Sequence, residues 1–119
     1  MSYVDGMVIP VPKKNLAKYR RMSRKCGAVW REHGALSYNE CVADDVKPGK
    51  ITSFPQAVKL KPSEVVVFSW IVYKSRKDRD RAMKKVMSDP RLADMMNPKT
   101  MPFDGKRMFW GGFKPIVQL

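Results

Sequence analysis

Residues 64–73 read EVVVFSWIVY, and the reading of this stretch decides the fold. Nearly every position is β-branched or aromatic, which predicts the strongest strand of the chain. Alternation places Val66, Phe68, Trp70 and Val72 on one face and Val65, Val67, Ile71 and Tyr73 on the other. Both faces are apolar, so both must be covered.

The segments on either side say what covers the first face. Residues 13–33 repeat Leu16, Tyr19, Met22, Cys26, Val29, Trp30 and His33 at spacings of three and four, which predicts a helix with Gly34 at its end. Gly27 inside that helix costs about 1 kcal/mol against alanine, which suits close packing of the helix on a sheet. Residues 75–88 predict a second helix: Ser75 and Asp78 form its start, and Ala82, Met83, Val86 and Met87 its inner stripe. A short turn then runs through Met96. Strands are predicted at 3–11 (YVDGMVIPV), 35–43 (ALSYNECVA) and 107–117 (RMFWGGFKPIV). In the second of these, Leu36, Tyr38, Glu40 and Val42 share a face. Pro10 lacks an amide donor and belongs at a strand end or edge. The long connection 44–63 carries Asp44-Asp45 and Pro48-Gly49 turns, and a short helix near 54–59 that follows Ser53.

The resulting order is β-α-β-β-α-β, a ferredoxin-like α+β fold with two helices on one face of a four-stranded antiparallel sheet. The 119 residues fit a single domain spanning 1–119. The second sheet face calls for a partner, and the economical one is another copy, sheet against sheet. A homodimer is therefore expected, with Val66, Phe68, Trp70 and Val72 at its interface. RNA-recognition domains share this order, but VVVFSWIVY has neither the glycine nor the basic residue of their third strand. Nucleic acid is not expected on the sheet.

The segments YVDGMVIPVPKKNL, VWREHGALSYNECVADDV, ITSFPQAVKLK, VVFSWIVYKSR and MPFDGKRMFWGGF together resemble the uncharacterised bacterial YbaA-like family. That family is sometimes mislabelled as signal recognition particle RNA, which says nothing about this chain. The resemblance spans almost the whole sequence. It implies the dimeric α/β-barrel superfamily, the same arrangement to which the two-faced strand points. It implies no particular reaction, and no catalytic motif of the superfamily's monooxygenases is visible here.

Two cysteines, Cys26 and Cys41, and one histidine, His33, exclude a disulfide framework and a four-ligand zinc site. No metal and no cofactor are expected. Cys26 and His33 lie about 10.5 Å apart along a helix, too far for a nucleophile–base pair. The candidate cavity is the space between helices and sheet, with Trp30, His33, Tyr38, Glu40 and Trp70 as its residues. Catalytic residues are unassigned. His33 ends a helix, where an imidazolium suits the C-terminal carbonyls. The loops bearing Ser53, Phe54, Pro55 and Gln56, and Met101, Pro102, Phe103 and Asp104, are candidate lids or caps.

The formal charge is +13. Eight Lys/Arg and no acid fall in residues 13–31, and eight more with three Asp in 74–91. Most of the charge thus maps to the outer faces of two helices. No apolar run of about 18 residues exists, so no membrane span is expected. The first strand starts too early for a signal core, so a cytoplasmic location is expected. The expected function is binding of a small hydrophobic or aromatic metabolite by a homodimer. One alternative, implied by the resemblance, is a small-molecule enzyme such as a cofactor-independent monooxygenase. Another is nonspecific binding of nucleic acid or another polyanion through the basic helices.

Overall fold

Four strands lie edge to edge in the order β2-β3-β1-β4, all antiparallel to their neighbours. The computed structural model describes residues 2–119. The strands are β1 (Tyr3–Pro12), β2 (Ser37–Val42), β3 (Glu64–Tyr73) and β4 (Phe109–Phe113). The α-helices are α1 (Leu16–Glu32), α2 (Phe54–Ala57) and α3 (Arg76–Met87). Short 3-10 turns occupy Lys13–Asn15, Pro90–Met96 and Gly105–Arg107. This order and topology are the ferredoxin-like α+β plan.

β1 and β3 pair along their whole length, from Tyr3 opposite Tyr73 to Pro12 opposite Glu64. The expected strands at 35–43 and 107–117 are shorter in the structure, although the amides of Leu36 and Ala43, just outside β2, still donate to the Val72 and Val66 carbonyls of β3. Pro10 is in a central strand, but beyond Val8–Phe109, the last pair with β4. There β1 has β3 as its one neighbour, and the missing amide donor costs no ladder bond.

α1 and α3 cover one sheet face. Ile71 and Tyr73 pack with Tyr3, Ala35 and Ala82, and Ile9, Val11 and Val67 pack with Tyr19. Each such Val or Ile contributes about 1.5–3 kcal/mol by leaving water. Val29 and Val86 join the helices to each other and to Leu92. Gly27 is a contact point: a Cβ there would stand 2.5 Å from Cδ1 of Tyr38. Only glycine lets α1 come this near the sheet.

The second face is divided. At one end the chain covers itself: Val58 of the 44–63 connection packs on Val8 and Val66, and the Phe54 ring lies 5.8 Å from that of Phe68. This corrects the expectation that a partner must cover the whole face. Toward the other end the face is open, with Phe68 42% exposed and Phe113 63% exposed.

Two buried ion pairs clamp the frame. Asp5, on the helix face of β1, receives the Arg79 guanidinium on both oxygens at 3.0–3.1 Å and the Tyr73 hydroxyl at 2.9 Å. Arg79 also stacks over the Tyr3 ring, 5.2 Å from its centroid. Glu64, at the start of β3, receives Arg107 at 2.6 and 2.7 Å. That same guanidinium donates to the carbonyls of Val58 and Lys59, which ties the connection to the sheet.

Candidate functional site

Glu40 is the exception among the carboxylates on this sheet. β2 is an edge strand, and its register puts Tyr38 opposite Ile71 and Glu40 opposite Ser69. Both side chains therefore point toward α1. On α1, Tyr19 and Ser23 are one turn apart and face back toward them. The Tyr19 hydroxyl donates to Oε1 of Glu40 at 2.7 Å. The Ser23 hydroxyl donates to Oε2. The Tyr38 hydroxyl reaches the same oxygen at 3.4 Å and lies 3.3 Å from Ser23. Among the described residues no cation pairs with Glu40.

Burial, then the neighbouring Glu40, pushes the Tyr19 phenol far above its usual range. The same two causes raise Tyr38, against a smaller lowering by the Ser23 hydrogen bond. Both phenols thus stay protonated and keep donating. Burial and Glu40 also push the Cys26 thiol up to about 11, so it is held as a thiol.

Glu40 closes a cleft of about 360 Å³ between α1 and β2, whose apolar walls are Leu16, Val42 and Val67. A second, more open groove of about 500 Å³ continues past Glu40, Ser23 and Tyr38 along α1. Ser69, buried beside Glu40 in the ladder, has a hydroxyl with no partner among the described residues. The arrangement can accept a hydroxyl from a small, partly apolar molecule. The carboxylate has acceptor capacity, and the cleft sets apolar walls beside it.

The candidates named from sequence divide. Tyr38 and Glu40 meet in the cleft. Trp30 lies on the same side of the sheet but packs edge-on against Tyr73, with centroids 6.2 Å apart. His33 caps α1 and bonds Asp89 through Nε2 at 2.8 Å. Arg91 and then His33 hold the Asp89 carboxyl well below the usual range, so this cluster is a clasp between α1 and the Pro90–Met96 turn. Trp70 is a correction: it pairs with Gly6 and Asn39 on the open face, with its ring 5.6 Å from Phe68, and does not line the helix–sheet space.

The two candidate lids lie on opposite sides of the sheet. Phe54 packs on Phe68 of the open face, while Phe103 packs on Tyr19, with ring centroids 5.6 Å apart. Gln56 accepts from the amide of Gly49, Pro55 lies in the first turn of α2, and Asp104 caps the Gly105–Arg107 turn. The sequence reading missed Tyr19 and Ser23. Their four-residue spacing, facing alternate strand positions 38 and 40, is the signal that could have found them. Among the described residues no group of three or more His, Cys, Asp or Glu is placed to hold a metal ion. None of their helices is long and apolar enough to cross a membrane.

Residues 2–105 match the family described as protein of unknown function, DUF1428. The chain is 50% identical over 117 residues to the uncharacterized protein YbaA of Escherichia coli K12, covering 98% of each, and equally to that of Shigella flexneri. Among solved structures it is similar to a candidate antibiotic biosynthesis monooxygenase from Nitrosomonas europaea, with TM-score 0.59, 12% identity and coverage of 97% and 90%. It is also similar to a NIPSNAP family protein of unknown function from Agrobacterium tumefaciens, with TM-score 0.57, 12% identity and coverage of 96% and 87%. At these identities the likeness to both structures is one of fold.

Proposed function

The chain belongs to the YbaA-like DUF1428 family, and from that premise we propose that it is a homodimeric small-molecule-binding protein. Its ligand has an apolar, aromatic-sized body and a hydroxyl that it donates to Glu40. The observation that carries this reading is a carboxylate held by hydroxyls alone in an apolar-walled cleft. A half-buried charge without a cation is costly and calls for a reason. The dimer draws its support from the open sheet face, whose exposed Phe68, Phe109 and Phe113 suit a second copy.

Titration with phenol and with toluene, followed by amide chemical shifts, tests the ligand reading. Phenol should perturb Tyr19, Glu40 and Val67 and bind more tightly than toluene. Glu40→Gln should weaken phenol about tenfold, the difference between a charge-assisted and a neutral hydrogen bond, and leave toluene unchanged. Equal binding of the two probes, or no shifts in the cleft, overturns it. Sedimentation at micromolar concentration reads the dimer, and a monomer removes that part.

A second reading is an enzyme that oxygenates a hydroquinone without a cofactor. It takes its support from the same carboxylate, a base in reach of a phenolic proton. Oxygen uptake with hydroquinone above the spontaneous rate, lost in Glu40→Gln, supports it; uptake at the spontaneous rate counts against it.

A further inference from the structure

Three arginines on α1 lie along the open groove that adjoins Glu40: Arg20, Arg24 and Arg31. At 100° per residue they fall within one narrow stripe of the helix, and at 1.5 Å per residue they span about 16.5 Å. Arg20 and Arg24 are about 6 Å apart, so their forks can close on one oxyanion from both sides. All three are exposed, and among the described residues none has a carboxylate partner. On α1 only Arg21, on a different stripe, is likewise without a carboxylate partner among the described residues, and the arginines of α3 and the turn after it are paired. Arg79, Arg81 and Arg91 each pair with at least one Asp or Glu.

The groove also carries Ser23 and Tyr38, and Arg20 lines the apolar cleft as well. Apolar wall, hydroxyl acceptor and guanidinium row are thus continuous around Glu40. Gly27 keeps the middle of the row free of a side chain, between Arg24 and Arg31.

From this continuity we infer that the ligand of the Glu40 cleft is phosphorylated: the apolar body and its hydroxyl enter the cleft, and a dianionic phosphoryl group is held by Arg20 and Arg24, with Arg31 extending the field. The inference rests on the reading of the cleft as a ligand site. A dianion is favoured over a single carboxylate because the row offers three planar forks, and tetrahedral phosphate oxygens can take two of them in bidentate fashion. The Glu40 charge is no obstacle: the hydroxyl, not the phosphoryl group, meets it.

The probes are 4-hydroxyphenyl phosphate, phenol and inorganic pyrophosphate, titrated by calorimetry at low salt. 4-Hydroxyphenyl phosphate should bind at least about tenfold more tightly than phenol, and the margin should shrink as salt rises. The double variant Arg24→Ala, Arg31→Ala, which leaves Arg20 in the cleft wall, should remove most of the margin and leave phenol binding in place. A second double variant, Arg21→Ala, Lys25→Ala, removes the same charge from a different stripe of α1 and should keep most of the margin. Equal loss in both variants overturns the inference in favour of general basic charge. So does pyrophosphate binding as tightly as 4-hydroxyphenyl phosphate. Phenol binding without a phosphate margin defeats the inference alone; failure of phenol and phosphate ester together defeats the cleft reading too.

Discussion

Asp5 and Glu40 are on the same face of the same sheet, separated by β3, and the protein holds them in opposite ways. Asp5 is neutralised in place by a guanidinium on both oxygens and by the Tyr73 phenol. Glu40 has two or three hydroxyl donors and no cation. A carboxylate with its own arginine is complete, and its charge is spent inside the fold. A carboxylate held by neutral donors keeps a net charge and can accept another hydrogen bond. The tyrosines are suited to that task, since burial and Glu40 both act to keep them protonated. The comparison separates the frame of the molecule from its site.

The largest expected effect breaks the Asp5 side. Arg79→Ala leaves Asp5 buried at 2% exposure without its cation, which should cost about 3–5 kcal/mol. For a chain of this size that lowers the melting temperature by roughly 12 °C or more. Glu40→Gln, by contrast, keeps an acceptor for the hydroxyls and should cost less than about 1.5 kcal/mol. Thermal melts of the two variants check the comparison directly. If Glu40→Gln destabilises as much as Arg79→Ala, Glu40 is part of the frame and the distinction fails.

A smaller effect follows from pH. Glu64, like Asp5, has an arginine partner, and the Arg107 guanidinium, in first place, holds the Glu64 carboxyl below the ordinary value. A carboxyl whose folded pKa is depressed contributes stability in full above its unfolded pKa, about 4.3, and loses it as pH falls through the folded value. Stability should therefore fall from about pH 5 downward more steeply in the native chain than in Glu64→Gln. Denaturant midpoints between pH 6 and pH 3 measure it. Parallel curves would mean that the ion pair contributes nothing.

Much of the fold was legible because strand parity and helix period are strong signals in this chain. EVVVFSWIVY gave a central strand, and the spacing from Leu16 to His33 gave the helix over it. Parity also argued against one of the candidates: Trp70 shares its parity with Phe68, so it belongs to the open face, and grouping it with Trp30 ignored the strand's own alternation. The site was half legible. Tyr38 and Glu40 were visible as polar residues on an inward face, but Tyr19 read as ordinary core and Ser23 carried no pattern. The two loops were not legible, because periodicity cannot say on which side of a sheet a loop will cross. Phe54 and Phe103 look alike in sequence and end on opposite faces.

The smallest effect sharpens the comparison from beneath. Ser69 stands between the two carboxylates: it is opposite Glu40 on one side and Met7 on the other, 1% exposed, with an unpartnered hydroxyl. An unsatisfied buried hydroxyl costs about 1–3 kcal/mol, and its removal with little change of shape returns part of that. If Ser69 belongs to the frame, Ser69→Ala should be neutral or about 0.5–1 kcal/mol more stable, with phenol binding unchanged. If Ser69 instead serves the Glu40 site through a bridging water, the same variant should lose stability and weaken phenol binding together. Melting temperature and phenol affinity, measured on this one variant, therefore place Ser69 with Asp5 or with Glu40. Its register with Glu40 favours the site.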